Sequence, residues 1–123
     1  MAIKGIFYVL AFVSDMERSK RFYSETLGWT LGTDEDGVAG FAFGTGYLVL
    51  HRDDRPVASR THAGGMHVAV LVDDASAEHA RLKGLGIDVS PLRDQFWGER
   101  NFSFHDPDGY QWSYGQQMAA HPQ

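Results

Sequence analysis

The chain carries six histidines and no cysteine. Disulfides, thiolate metal sites and cysteine nucleophiles are therefore excluded, and imidazole, carboxylate, hydroxyl and indole groups are the chemistry available. His67 falls inside a strand-like run, M-H-V-A-V-L-V, and His51 closes another, Y-L-V-L-H-R. His79 sits mid-helix near an Ala75/Leu82 stripe, as a core-edge residue would. His105 precedes a turn, and His62 and His121 lie in linker and tail. Asp106 and Asp108 bring two carboxylates close together, but their D-P-D-G setting is explained by the turn itself: proline presets φ, aspartate bonds local backbone and glycine supplies φ > 0. Ser103 and Ser113 lack the elbow of a serine nucleophile, and no glycine-rich phosphate cradle follows a strand. Trp97, in a loop beside Gly98, is a large apolar ring with little structural reason to be there. It reads as a cavity wall or lid, or as filler at a dimer interface. Flat rings of this kind stack on flat or cationic ligands. Arg100 fits either an anionic ligand group or an ion pair at the surface or between modules.

The elements that must hold these residues follow from periodicity. Ile3 to Val13 reads as a strand covered on both faces. Ser14 with Glu17 forms a capping box for a helix from about Asp15 to Thr26, which Leu27-Gly28 stops. Trp29–Thr33, Val38–Phe43 and Tyr47–Arg52 read as strands. A polar stretch over 53–64 is a linker, long for so small a domain. The second half restarts with a strand over Met66–Val72 and a helix from Ala75 to Leu85 capped by Asp73-Asp74. Strands over Ile87–Leu92, Glu99–His105 and Tyr110–Gln116 complete it.

The order strand, helix, three strands thus occurs twice, and the sequence repeats with it. F-Y-V-L-A-F-V-S-D at position 7 matches M-H-V-A-V-L-V-D-D at position 66, 59 residues on. Tyr8 and His67 are equivalent in that repeat. Gly46-Tyr47 falls over Gly109-Tyr110, which places Leu50 opposite Ser113, or Val49 if the register slips by one. The fold class is α+β: two tandem βαβββ modules, about 1–52 and about 65–117, joined by the linker into one domain of 123 residues. Each module alone leaves one sheet face bare, and two modules side by side would enclose a ligand-sized space.

Bulk properties narrow the function classes. A hydrophobic content of 43% supports a genuine core, and the net charge of −5 argues against a nucleic-acid partner. No signal-peptide pattern or membrane-length apolar run occurs, so a soluble cytoplasmic protein is expected.

The runs V-S-D-M-E-R-S with Phe22-Tyr23 and Leu27-Gly28, H-V-A-V with V-D-D, Trp97-Gly98 with Arg100, and F-H-D-P-D-G-Y resemble the vicinal oxygen chelate superfamily of glyoxalases, bleomycin-resistance proteins and extradiol dioxygenases. The resemblance covers nearly the whole chain. It implies paired modules forming an open barrel-like sheet around a cavity, commonly in homodimers, with a small-molecule ligand. Metal-dependent relatives place one ligand on the first and one on the last strand of each module. Carried over, those places are Tyr8, His67, Ser113 and Leu50 or Val49. One good ligand of four will not hold a divalent ion tightly, so no catalytic residue and no cofactor is assigned, and His67 is expected to bond Tyr8 or Ser113. The expected ligand-lining set is Tyr8, Phe43, His51, His67, Trp97, Arg100 and Ser113, in a metal-independent, non-enzymatic protein that sequesters an aromatic or conjugated molecule. The alternative is a glyoxalase-like lyase or dioxygenase using one divalent metal ion on His67 and His51. A structural or regulatory dimer with a vestigial cavity is a third reading.

Overall fold

The computed structural model describes residues 6–56 and 68–118. The chain divides into two compact units, Met1–His62 and Ala63–Gln123. In the first, β1 (Val9–Val13) leads into α1 (Met16–Arg21), which widens into a π-helical turn over Phe22–Thr26 before β2 (Thr30–Glu35), β3 (Val38–Phe43) and β4 (Gly46–Arg52). In the second, β5 (Val68–Leu71) leads into α2 (Ala75–Gly84), then β6 (Arg93–Asp94), β7 (Glu99–His105) and β8 (Gln111–Gln117). Each unit forms one four-stranded sheet, ordered β1-β4-β3-β2 and β5-β8-β7-β6. The first strand of each pairs parallel with the last, and the remaining pairs are antiparallel. The tandem βαβββ reading therefore holds, and neither sheet closes into a barrel.

Alternation along the strands builds each core. Ala11, Val13, Ala39, Phe41, Leu48 and Leu50 are buried on one face of the first sheet, with Tyr23 and Leu27 packed with them. In the second, Phe102, Phe104, Trp112 and Tyr114 are buried together with Ala75 and Leu82 of α2. The widened end of α1 is defined by Leu27 N–H donating to the Phe22 carbonyl at 2.9 Å, one residue beyond the α-helical partner. Tyr23, fully buried in that turn, meets Phe41 and Trp29 at ring separations of 5.6 and 5.2 Å.

Four expectations need correction. The first helix is capped by Asp15, whose carboxylate accepts from Arg18 N–H at 3.1 Å, rather than by Ser14. The first strand begins only at Val9; Ile6, Phe7 and Tyr8 are exposed outside it. Residues 3–5 of the expected strand lie outside the described residues. Residues 87–92 form no strand. Ser90 takes the place of a ladder residue: its N–H donates to the Ser103 carbonyl and its hydroxyl accepts the Ser103 N–H, at 2.9 and 2.8 Å. Pro91, with no N–H, cannot extend that pairing. Finally, Ala69 pairs with Ser113 and its repeat equivalent Leu10 pairs with Val49, so Val49 and not Leu50 matches Ser113. Leu50 is fully buried in the first core.

Two side chains yield stability predictions. Asp106 is buried, and its Oδ1 accepts the N–H groups of Asp108 and Tyr110, each at 2.9 Å. Asp106→Ala orphans both donors at the D-P-D-G turn and is expected to cost about 2 kcal/mol in urea unfolding, with Asp106→Asn recovering part of it. A loss under about 0.5 kcal/mol would mean that the turn does not depend on this carboxylate. Ser19 on α1 is the opposite case: its hydroxyl is buried without a hydrogen-bond partner. Ser19→Ala removes that group and raises helix propensity, so stability should rise by about 1 kcal/mol. A fall would show that the hydroxyl is bonded in solution.

Candidate functional site

Each sheet buries the face toward its helix, so its other face carries whatever alternation leaves over. On the first sheet that set is apolar. Leu10 and Val49 are paired across β1 and β4, as are Phe12 and His51, whose rings meet edge to face at 5.9 Å. Tyr47 lies across Gly40 on the neighbouring strand. A Cβ at Gly40 would come within 2.8 Å of the Tyr47 Cζ, so only glycine admits the ring there. The Tyr47 hydroxyl is 3.3 Å from Thr33 Oγ1. At the other end, the Arg55 guanidinium stacks 4.1 Å above Phe12. The buried Asp53 carboxylate holds Arg55 with two hydrogen bonds of 2.9 Å. His51 Nδ1–H donates to the Arg52 carbonyl at 2.7 Å, which leaves Nε2 as the nitrogen with the free lone pair.

On the second sheet the corresponding face is polar. Ser113 lies between Ala69 on β5 and Ser103 on β7, and Gly115 lies beside Asn101. These small residues leave the middle of the face shallow. Gln95, Glu99 and Asn101 edge it as a chain: Gln95 Nε2 donates to Asn101 Oδ1 at 3.0 Å, and Asn101 Nδ2 donates to the Glu99 carboxylate. Gly115 makes room for that carboxylate, since a Cβ there would sit 2.9 Å from Glu99 Oε2. Three and two residues before Glu99, Phe96 and Trp97 occupy the tip of the β6–β7 turn. Gln95 N–H bonds to the Glu99 carbonyl at 2.7 Å and Gly98 N–H to the Gln95 carbonyl at 3.1 Å. Gly98 takes φ +85°, a conformation glycine adopts without strain. The two rings meet edge to face at 5.0 Å, with Phe96 93% and Trp97 38% exposed.

The expected site residues therefore divide. His51 lies on the open face of the first sheet, Ser113 on that of the second, and Trp97 at the turn bordering the second. Tyr8 stands outside β1, its ring against Phe7 at 5.3 Å. Phe43 shares the parity of Phe41 and stacks on Trp29 at 4.6 Å, on the helix side of its sheet. Arg100 also reaches the helix side, where Asp94 binds it through two hydrogen bonds of 2.7 and 3.1 Å and Ser76 of α2 accepts from it. That hydrogen bonding holds the Asp94 carboxyl below its ordinary range and raises the Arg100 guanidinium. A depressed carboxylate stabilises the fold above its unfolded pKa and loses that effect as pH falls through the folded one. His67 lies outside the described residues. His79, expected at a core edge, donates Nε2–H to the Ser90 carbonyl at 3.0 Å and packs edge to face on Phe102.

Sequence reasoning missed Tyr47, Gln95, Glu99 and Asn101 as site residues. For the last two the signal was present: with Phe102 and Phe104 facing the core, strict alternation puts Asn101 and Glu99 on the open face with Ser103. A depression of about 610 Å³ in the first unit lies elsewhere, along α1 and the β2–β3 turn. Its two cations are both paired. Lys20 binds Asp34 and Glu17 at 3.0 and 3.1 Å, which raises the Lys20 ammonium with the Asp34 hydrogen bond as first cause, and Arg52 binds Asp36 at 3.1 Å. That arrangement ties helix to hairpin.

A metal of the kind used by the fold's enzymes has poor donors in the described part of its expected shell. Val49 has none, and Ser113 offers a neutral hydroxyl. Among the described residues, no three His, Asp or Glu side chains are grouped to hold an ion. No helix among them is long and apolar enough to cross a membrane.

Comparison with known proteins fits this architecture. The family model for the glyoxalase/bleomycin resistance protein/dioxygenase superfamily matches residues 5–114. A bleomycin resistance protein from Geobacillus stearothermophilus is 31% identical over 121 residues, covering 86% of this chain and 92% of that protein. TnmS3, an antibiotic binding protein from Streptomyces sp. CB03234, superposes with a TM-score of 0.77 at 32% identity, over 95% of this chain and 98% of its own. Lactoylglutathione lyase from Agrobacterium tumefaciens superposes with a TM-score of 0.75 at 20% identity, over 94% and 96% of the two chains, a likeness of fold alone. With two βαβββ units in tandem and a family match spanning both, the chain belongs to the glyoxalase/bleomycin resistance protein/dioxygenase superfamily.

Proposed function

We propose that this protein binds and sequesters a small aromatic or conjugated molecule, without a metal ion and without chemical turnover, as a homodimer. The observation that carries the reading is the pair Val49 and Ser113. These residues match each other on the last strands of the two units, and the resemblance places metal ligands there in the enzymes. An aliphatic side chain and a neutral hydroxyl suit packing and hydrogen bonding, and neither supplies a Lewis-acid centre. Two relatives above 30% identity, a bleomycin resistance protein and an antibiotic binding protein, support small-molecule binding. On the second unit, stacking on Trp97 would supply affinity and Ser113 would orient polar groups.

A second reading has one observation in its favour. His51 donates Nδ1–H to a backbone carbonyl, the arrangement metal-bound histidines commonly show at their outer nitrogen. It would suit Nε2 of His51 to a metal ion. Titration of the intrinsic tryptophan fluorescence with a panel of planar aromatic antibiotics tests the binding reading. Saturable quenching at micromolar concentrations by at least one compound is expected; a flat response across the panel would sink it.

A further inference from the structure

We propose that Glu99 selects for cationic ligands, recognising a protonated amine, guanidinium or comparable nitrogen cation borne by an aromatic body. This rests on the small-molecule reading above and assigns that ligand its charge. Four features of the second sheet point the same way. Glu99 is a half-buried carboxylate on the open face, and among the described residues no lysine, arginine or histidine forms an ion pair with it. Arg93, opposite Asn101 on that face, makes none. A carboxylate so placed gives up part of its hydration without a resident counter-ion, so an incoming cation gains a charge-assisted contact that a neutral ligand cannot.

The carboxylate is also fixed in place. Asn101 Nδ2 donates to Oε1, and the Asn101 amide is held in turn by Gln95 Nε2. This chain settles one oxygen and leaves Oε2, over Gly115, for a ligand. Gly115 is the cradle: any side chain there would meet Oε2 within 2.9 Å and push the carboxylate away. Beside it, Ser113, Ser103 and Ala69 keep the face shallow enough for a ring system to approach. Trp97, two residues from Glu99, adds a ring whose π-face attracts the same sign of charge. Carboxylate and indole together favour a flat cation over a flat neutral molecule or anion.

The test compares two tricycles of nearly identical shape, 9-aminoacridine, a cation at pH 7.5, and acridine, neutral there, by fluorescence titration of the full chain. Wild type is expected to prefer the cation by about tenfold or more, the factor that one strong polar contact represents. Glu99→Gln, which keeps the acceptor for Asn101, should reduce that preference to near unity while leaving acridine affinity within about twofold. Gly115→Ala, which displaces Oε2 but keeps the charge, should lower the ratio as well. An unchanged ratio in Glu99→Gln overturns this proposal and leaves the binding reading intact. If neither tricycle nor any compound of the aromatic panel binds wild type, the binding reading fails and this one with it.

Discussion

Replacing Trp97 with alanine is expected to weaken binding of a planar aromatic ligand by about ten- to hundredfold, with a smaller stability loss of about 1 kcal/mol. The binding estimate follows from area. A tryptophan half covered by a ligand loses on the order of 100 Å² of apolar contact when truncated, or about 2.5 kcal/mol, and the ring geometry adds to it. The stability estimate follows from position. Trp97 is 38% exposed at a turn whose backbone bonds run between Gln95, Gly98 and Glu99, and its described ring contact is Phe96, itself 93% exposed. Neither ring belongs to the buried cluster of Phe102, Phe104, Trp112 and Tyr114. Trp97→Phe should recover part of the affinity. Isothermal titration and thermal unfolding on the same samples separate the two effects. Equal affinity in wild type and Trp97→Ala would place this ring outside the site; a large drop in melting temperature would make it a packing residue.

Phe41→Ala should have the largest effect on the fold, a loss of about 3–5 kcal/mol in the unfolding free energy of the first unit. Phe41 has no exposed surface and lies on β3 across from Leu48, with Tyr23 of the π-helical turn packed on its ring. Tyr23 in turn touches Trp29, which stacks on Phe43. The void left by the ring thus opens at the head of a continuous aromatic chain that joins helix to sheet. Phe41→Leu, which keeps most of the volume, should cost far less. Urea unfolding followed by far-ultraviolet circular dichroism reads both. A cost below about 1 kcal/mol for Phe41→Ala would mean that the first core repacks around the gap or is not organised on this ring.

The fold was legible because its signals are local and occur twice. Strand runs, Asp-led helix starts and glycine stops recur in the same order, and the structure keeps that order. Element ends were less legible. The choice between Ser14 and Asp15 as cap depends on which side chain reaches the Arg18 N–H, which spacing does not decide. Residues 87–92 carried strand-like composition, but Ser90 meets β7 through its hydroxyl, a tertiary contact invisible to periodicity. The site was legible in part. Alternation alone puts Ser113 on the open face, and an indole in a glycine-bearing turn drew notice to Trp97. Arg100 was ambiguous because its partners, Asp94 and Ser76, come together only when β6 and α2 flank β7. Alternation also puts Glu99 on the open face, but its setting over Gly115 and its bond to the Gln95–Asn101 chain are cross-strand contacts that periodicity does not show. The repeat register missed by one residue for a similar reason. Gly46-Tyr47 and Gly109-Tyr110 look equivalent in sequence, whereas the pairing with β1 and β5 sets Leu48 against Trp112 and so Val49 against Ser113.

The proposal of metal-free binding leans on the match of Val49 with Ser113, and one measurement tests it directly. The full chain, purified without a histidine tag, is dialysed exhaustively against EDTA and titrated with a compound from the aromatic panel that quenches its fluorescence. The titration is then repeated with one equivalent of Zn, Ni, Fe or Mn. The account predicts affinities that agree within about twofold with and without each metal, and no conversion of the compound. Binding that vanishes on chelation and returns with stoichiometric metal would contradict it, and would turn attention to His51 and His67.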